Sequence, residues 1–218
     1  MPALEVGGAT LYIKPIWQPL SQAPYLDKLR DQRIGYDSRL WDDVRGEGGH
    51  HVVVSDQDIE GMIDDGYDTV LHEVSHQVNA ILAPRWDRKI ESLYAAATRR
   101  QAGRGNAFMS NYAASSVLEY FAEGCNALNH HRRNAYDERE IVYERLAQRD
   151  PALLELVREI MFHADVKPSY AMSLVGLGDD FLWRGRLRQA DAAYVRALHE
   201  DPGNEPALVG RMHALLLL

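Results

Sequence analysis

The pattern of apolar and polar positions divides this 218-residue chain into a short β-like beginning and a long helical remainder. Residues 3–16 alternate and contain the pair Gly7-Gly8, a pattern that predicts a short β-hairpin. Residues 50–54, HHVVV, predict a strand that ends at Ser55-Asp56. From Asp58 onward the apolar spacing is mostly helical, with prolines and glycines between segments. We predict helices at about residues 68–82, 84–102, 115–131, 137–148, 151–163, 170–183, 187–200 and 205–217. The predicted fold class is α+β, mainly α.

Composition excludes several classes of function. The chain is 46% hydrophobic and 26% charged, as expected of a globular protein rather than a disordered one. Its net charge of −8, without a basic stripe, argues against nucleic-acid binding. No apolar run approaches the roughly 20 residues of a membrane span, so we expect no membrane partner.

The beginning of the chain and its single cysteine bear on location. The first residues show no basic segment followed by an apolar one, so we expect no signal peptide and a cytoplasmic protein. An exported effector without a cleaved signal would show the same pattern. Cys125 is the only cysteine, which excludes an intrachain disulfide. It lies on the apolar side of its predicted helix, so we expect a buried, inert thiol.

The stretch TVLHEVSHQV contains the motif H-E-x-x-H, formed by His72, Glu73 and His76. Histidines at i and i+4 lie one turn apart on a helix and can bind the same Zn²⁺. Glu73 then lies beside the metal, where it can take a proton from an attacking water. The alternative is a solvated helix face that carries two histidines by chance.

The helical wheel favours the metal site. At 100° per residue, the apolar side chains fall within one arc, which we predict to be the buried stripe: Val70, Leu71, Val74, Val78, Ile81 and Leu82. His72 and His76 fall on the opposite side, with Glu73 flanking them. We therefore expect a helix with its back in the core and a cleft in front. Asp68 or Thr69 is the expected N-cap.

A third ligand is needed, because catalytic zinc usually has three protein ligands and a water. The candidate segment is VLEYFAEG, residues 117–124. On its helical wheel Glu119, Glu123, Asn126 and His130 share one narrow stripe. The alternative for this stripe is a charged outer face.

The two motifs together, LHEVSH and EYFAEG, resemble the metallopeptidase domain of anthrax lethal factor and its relatives, over about residues 45–130. The resemblance implies a zincin-like fold of the gluzincin type that binds Zn²⁺. It implies Glu119 as the third zinc ligand, and it places Tyr112, seven residues earlier, where a phenol stabilises the transition state. We interpret Glu123 as a residue that orients a ligand through a hydrogen bond. The strand at HHVVV is either the edge on which an extended substrate binds or an ordinary strand.

The C-terminal segment, residues 171–204, resembles one tetratricopeptide repeat. The positions that match the repeat pattern are Leu174, Leu177, Gly178, Phe181, Gly185, Ala190, Tyr194, Ala197 and Pro202. This unit is either a docking surface for a protein partner or a structural brace. We therefore predict two domains: a metallopeptidase domain at 1–168 and a helical repeat unit at 169–218.

Three functions remain open. The first is a zinc-dependent endopeptidase with His72, His76 and Glu119 as ligands, Glu73 as general base and Tyr112 at the oxyanion. The second is a non-catalytic interaction protein whose zinc site is structural or vestigial; a fourth protein ligand such as His130 would favour it. The third is a zinc hydrolase that acts on a non-peptide amide or ester.

Overall fold

The computed structural model describes residues 2–34, 38–65, 67–163 and 166–218, and the side chains of 61–65 and 104 lie outside this description. Within it the protein is mainly helical, with a two-stranded sheet, as the predicted fold class requires. The strands are β1 (Thr10–Lys14) and β2 (His51–Ser55). The helices are α1 (Pro2–Gly7), α2 (Asp56–Asp65), α3 (Thr69–Ala80), α4 (Pro84–Arg104), α5 (Val117–Leu128), α6 (Tyr143–Arg149), α7 (Pro151–Phe162), α8 (Tyr170–Trp183), α9 (Leu187–Glu200) and α10 (Glu205–Leu217).

The predicted β-hairpin at residues 3–16 is wrong. Residues Pro2–Gly7 form α1, and Gly8 turns the chain with a φ of +73°. β1 instead pairs in parallel with β2, with Thr10 opposite His51 and Lys14 opposite Ser55. The alternation did mark a strand, but its partner lies about forty residues away, and local spacing carries no information about that partner.

Most predicted helices are present, and their ends follow from capping. The side chains of Asp68, Ser116 and Asp150 accept hydrogen bonds from backbone N–H groups at the starts of α3, α5 and α7. Pro84 and Pro151 stand at the first position of α4 and α7, where a missing N–H is harmless. The sequence pattern did not place α1 or α2.

The helix predicted at 137–148 begins later, at Tyr143, and ends at Arg149. The Asp137 carboxylate accepts hydrogen bonds from the backbone N–H of Arg133 and Arg139. The Arg139 guanidinium also pairs with Asp137 at 2.5 Å. These local side-chain bonds satisfy the backbone of a loop and so compete with helix formation.

Beside a small cluster around Leu20 and Val53, two larger apolar clusters form the interior of the described residues. The larger one surrounds Tyr120, Phe121 and Val157 and draws on α3 to α7. The smaller one surrounds Tyr194 and draws on α8, α9 and α10. Helix α8 also packs against α1, where Gly7 lies so close to Ser173 that a Cβ at Gly7 would be 2.7 Å from the Ser173 carbonyl oxygen. The division at residue 168 stays a prediction.

Among the helices of the described residues, none is long and apolar enough to cross a membrane.

Candidate metal centre

Helix α3 carries the H-E-x-x-H motif, and other elements pack against both its apolar side and its polar side. The Asp68 Oδ1 atom accepts a hydrogen bond of 2.8 Å from the Leu71 N–H, which fixes the first turn. His72 and Glu73 are buried, at 3% and 9% exposure. The predicted apolar stripe is buried only in part: Val78, Ile81 and Leu82 are buried as predicted, but Val70, Leu71 and Val74 are half-buried.

Helix α5 covers the front of α3 with the predicted polar stripe. Ser116 caps α5 by accepting a hydrogen bond from the Glu119 N–H. Glu123 and Asn126 are fully buried, and Asn126 Nδ2 donates to the Asp68 carbonyl oxygen at 2.9 Å. The stripe is thus the interface that fixes where α3 begins, rather than a charged outer face.

Two imidazoles and one carboxylate converge between these helices. The Glu119 Oε2 atom lies 3.0 Å from His72 Nε2 and 3.7 Å from His76 Nε2. The imidazole rings of His72 and His76 are nearly perpendicular, with centroids 5.0 Å apart. Glu119 Oε2 is buried and has no hydrogen-bond partner of acceptable geometry. An unpartnered buried carboxylate oxygen beside two imidazole nitrogens is a donor set that could hold a divalent metal.

Glu73 belongs to the same cluster but points elsewhere. Within the described residues, His72, Glu73 and His76 each offer an atom within 4.8 Å of the others. Glu119, from helix α5, also approaches both imidazoles, at 3.0 and 3.7 Å. The Glu73 carboxylate faces the backbone of Gly46 and Gly48. Both carboxylates therefore lie beside the two imidazoles, Glu119 from α5 and Glu73 from α3.

Gly48 allows the segment before β2 to approach α3 closely. A Cβ at Gly48 would overlap the His76 ring and lie 2.6 Å from Glu73 Oε2. A Cβ at Gly46 would lie 3.1 Å from Glu73 Oε1. The sequence GEGG contained this signal, because closely spaced glycines mark places where a backbone approaches other atoms closely.

Glu123 lies behind the His72 ring. Its Oε1 atom is 3.1 Å from His72 Nδ1, on the side of the ring opposite Nε2. Tyr67 joins this pair and was missed by the sequence analysis. Its hydroxyl donates to Glu123 Oε1 at 2.7 Å and lies 2.9 Å from His72 Nδ1. Tyr67 precedes the N-cap of α3, so a helical wheel does not include it.

Tyr112 reaches the site from the loop before α5. Its ring stacks on the ring of His72, with centroids 5.8 Å apart and planes 25° apart. Burial raises the pKa of the Glu119 carboxylate, but His72, His76 and the Tyr112 hydroxyl together lower it below its usual value. The predicted phenol is therefore at the site and in contact with the proposed third ligand.

The electrostatics of the cluster follow from burial and from its three carboxylates. Burial raises the pKa of Glu73 to about 7; the Glu119 charge adds to this, and His72 opposes it. Burial lowers the pKa of His76 to about 4. Burial alone would also lower the pKa of His72, but Glu119 and Glu123 outweigh it and raise that pKa to about 10. His72, without a metal, is thus the cation that the surrounding carboxylates hold.

The site opens into a cleft of about 570 Å³. One wall is the segment 43–49, and the floor is α3. The cleft is large enough for several residues of an extended chain or for one small ligand. Its walls combine apolar side chains with the polar groups already described; the apolar ones include Ile34, Trp41, Val44 and Leu118.

β2 is not the open edge that one interpretation of HHVVV required. All five of its residues are buried, and β1 lies along one side. On its other side Val53 exchanges two backbone hydrogen bonds with Glu47, of 2.9 and 3.0 Å. The segment around Glu47 therefore forms the wall of the cleft.

Two other residues named from the sequence lie apart from this cluster. The His130 Nδ1 atom lies 2.8 Å from the Asn126 carbonyl oxygen, in the last turn of α5. Cys125 is fully buried, and burial raises the pKa of its thiol to about 12, as an inert thiol requires.

Comparisons with known proteins leave the site to be judged on its geometry: no family model, curated protein or solved structure matches this chain.

Proposed function

We propose that this protein is a zinc-dependent endopeptidase, as its resemblance to the lethal factor metallopeptidases implies. The observation that carries the proposal is the convergence of His72, His76 and Glu119, with Glu73 beside them. The proposal includes a zincin-like fold for the first domain and a tetratricopeptide-like unit for the helices α8 and α9.

The distances from the Glu119 oxygen to the two imidazole nitrogens support a tetrahedral zinc site. Ligands at roughly 2.0–2.1 Å from a tetrahedral ion lie about 3.3 Å from one another. The distances from Glu119 Oε2 to the two Nε2 atoms are 3.0 and 3.7 Å, on either side of that value. A bound cation would also give the buried Glu119 Oε2 the partner that it lacks.

Each remaining residue then has a defined role. A bound zinc ion would polarise the scissile carbonyl and lower the pKa of water. Glu73 would take a proton from the attacking water and pass it to the leaving amine. Its buried position favours this role, because the pKa of about 7 lies near neutral pH. Tyr112 would donate its hydroxyl hydrogen to the developing oxyanion.

The wall of the cleft favours a peptide over other substrates. Glu47 uses both of its backbone groups on Val53. In an extended segment the groups of the next residues, Gly46 and Gly48, point to the opposite side. Within the described residues those groups form no hydrogen bond. An extended peptide could pair with this free edge as an added strand, and an ester or a small amide could not use it as fully.

A second candidate function rests on the other end of the molecule. Helix α10 turns small side chains inward and exposes large apolar ones, namely Leu208, Val209, Met212, Leu215 and Leu216. A contiguous exposed apolar surface often binds a protein. The chain would then be an interaction protein in which the metal site is structural or vestigial.

The test combines zinc content with peptide cleavage. Elemental mass spectrometry on protein purified without added zinc or a histidine tag should give about one zinc per chain, and Glu119→Ala should lose most of it. Wild type should cleave a mixed peptide library, with products identified by mass spectrometry. Glu73→Gln should keep zinc and lower cleavage by roughly 10²–10⁴-fold.

The matched control is Glu91→Gln, the same change at an exposed position of α4. It should keep both zinc and cleavage. Equal cleavage by wild type and Glu73→Gln would overturn the mechanism. If wild type and both variants bind zinc and none of them cleaves peptides, the result would favour the interaction protein instead.

A further inference from the structure

We propose that Tyr67 is a positioning residue, which holds the first histidine ligand through Glu123. The inference rests on the proposed function, because it concerns how this site binds zinc. The carrying observation is a closed triangle of polar atoms behind His72. Tyr67 Oη lies 2.7 Å from Glu123 Oε1 and 2.9 Å from His72 Nδ1, and the third side, from His72 Nδ1 to Glu123 Oε1, is 3.1 Å.

The protons of this triangle can be assigned. His72 Nε2 faces Glu119 and His76, so this nitrogen must offer its lone pair to the metal. A neutral imidazole then carries its hydrogen on Nδ1 and donates it toward Glu123 and the phenol oxygen. The Tyr67 hydroxyl donates its own hydrogen to Glu123 Oε1. The Tyr67 hydrogen therefore occupies the side to Glu123, and the His72 Nδ1 hydrogen points between Glu123 and the phenol oxygen. Only the tautomer of His72 with its hydrogen on Nδ1 fits this arrangement.

Burial makes the arrangement rigid. The side chains of His72 and Glu123 are 3% and 1% exposed, so water does not substitute freely for a lost partner. Removal of the phenol hydroxyl would leave the buried Glu123 carboxylate with one donor fewer and free to turn. The imidazole would then lose its fixed direction toward the metal position. Groups that orient a metal ligand in this way typically change metal affinity 10–100-fold when mutated.

The backbone of Tyr67 is held independently of its hydroxyl. The next residue, Asp68, is fixed to α5 by Asn126, which donates to its carbonyl oxygen at 2.9 Å and accepts from its N–H at 3.3 Å. Asp68 also caps α3. Tyr67→Phe should therefore keep the fold and remove only the hydroxyl.

The experiment measures zinc affinity by competition with a chromophoric chelator. Tyr67→Phe and Glu123→Gln should each bind zinc about 10–100-fold more weakly than wild type. The loss of zinc affinity in the double variant should be much smaller than the product of the two single losses, because Tyr67 acts through Glu123.

The matched control is Tyr194→Phe. Tyr194 is a buried tyrosine that also donates to a carboxylate, Asp179 Oδ1, at 2.6 Å, but in the α8–α9 unit. Its zinc affinity should stay within twofold of wild type, even though it loses the same kind of hydrogen bond. Urea unfolding of the metal-free proteins separates a local effect on zinc from a general loss of stability.

The outcomes separate this inference from the proposed function. No zinc bound by wild type would overturn both. Zinc bound equally by wild type and Tyr67→Phe would overturn the positioning role alone, as would a loss of cleavage without a loss of zinc affinity. Should Tyr67→Phe fail to fold, Glu123→Asp, which withdraws the carboxylate from the phenol, should show the same weaker zinc affinity, and unchanged affinity would overturn the role.

Discussion

Helices α3 and α5 pack through polar side chains, whereas α8, α9 and α10 pack around one aromatic ring. The first interface contains two imidazoles and three carboxylates. The second is filled by Tyr194, which is fully buried and lies against Gly178 and Gly210. A Cβ at either glycine would be 2.5 Å from the Tyr194 ring.

The difference shows how the chain divides stability and chemistry. Burial of an aromatic side chain among small residues stabilises a fold, since apolar area leaves water and no charge loses solvation. Burial of several charged groups costs free energy unless each group is paired. Under the proposed function, the α3–α5 interface is retained for the metal that it would bind. The following changes test this contrast, beginning with the largest expected effect.

Tyr194→Ala should have the largest effect on stability. The substitution removes a buried ring at the centre of the smaller cluster, and such changes cost about 3–5 kcal/mol. Urea unfolding should show this loss, while the zinc content of the folded protein stays that of wild type. Tyr136→Ala is the control, because Tyr136 is 91% exposed and its loss should change stability by no more than about 0.5 kcal/mol. A large loss of zinc in folded Tyr194→Ala would contradict the separation of the two regions.

Gly48→Ala should act on the site more than on the fold. The added Cβ overlaps His76 and approaches Glu73, so either the wall of the cleft or the ligand must move. We expect zinc affinity and cleavage to fall about 10–100-fold, since misplacement by about 1 Å has effects of that size. The control is Gly103→Ala in α4, where a Cβ meets no atom within 4 Å. Unchanged zinc affinity in Gly48→Ala would mean that the wall of the cleft moves independently of α3.

Sequence reasoning found much of this architecture because the informative signals were local. The i, i+4 spacing of His72 and His76 and the stripe on α5 placed four site residues on two helices. The predicted capping residue Asp68 marked the start of α3. Six of the eight predicted helices agree with the structure within about two residues at each end, among them α7 to α10.

The features that were missed depend on contacts distant in sequence. The parallel pairing of β1 with β2 joins residues about forty positions apart. Tyr67 meets Glu123 across 56 positions and lies outside any helical wheel. A cleft in front of α3 was predicted, but the residues of α5 and the glycines around Gly48 that line it were not. An amphipathic pattern shows which side chains are apolar and does not show what packs against the polar ones.

His50→Gln should change how the free energy of unfolding depends on pH. His50 lies where β2 meets α8, and its Nε2 atom is buried without a partner. Burial, with smaller contributions from His51 and Arg184, lowers its pKa from 6.5 to about 4. Between these values the unfolded chain binds a proton that the folded chain does not. The free energy of unfolding therefore falls as the pH falls from 6.5 to 4.

The variant should remove part of that pH dependence. A shift of this size corresponds to at most about 3 kcal/mol, and partial exposure of the ring reduces it to roughly 1–2 kcal/mol. Urea midpoints at pH 7 and 4.5 should differ less in His50→Gln than in wild type. The comparison between proteins is needed because Glu47, whose pKa burial raises to about 8, contributes in the opposite direction. Equal pH dependence in both proteins would mean that His50 titrates normally.

Glu73→Gln should have the smallest effect on stability and the opposite sign. Glu73 is 9% exposed and lies near the carboxylates of Glu119 and Glu123. In the metal-free protein at pH 8 a neutral amide would relieve this repulsion and the cost of burial. We expect the free energy of unfolding to rise by about 1 kcal/mol. Glu91→Gln, which changes an exposed carboxylate, should leave it unchanged within about 0.5 kcal/mol.

The sign of the stability change in Glu73→Gln tests whether the α3–α5 interface serves chemistry while the α8–α10 unit serves stability. A rise in stability together with lost cleavage would show that Glu73 is kept for chemistry at the expense of the fold. A fall of more than about 1 kcal/mol would mean that Glu73 stabilises the segment around Gly46 and Gly48, which its carboxylate faces. The polar interface would then resemble the one around Tyr194 in its contribution to folding, and the loss of cleavage in Glu73→Gln would no longer identify a general base.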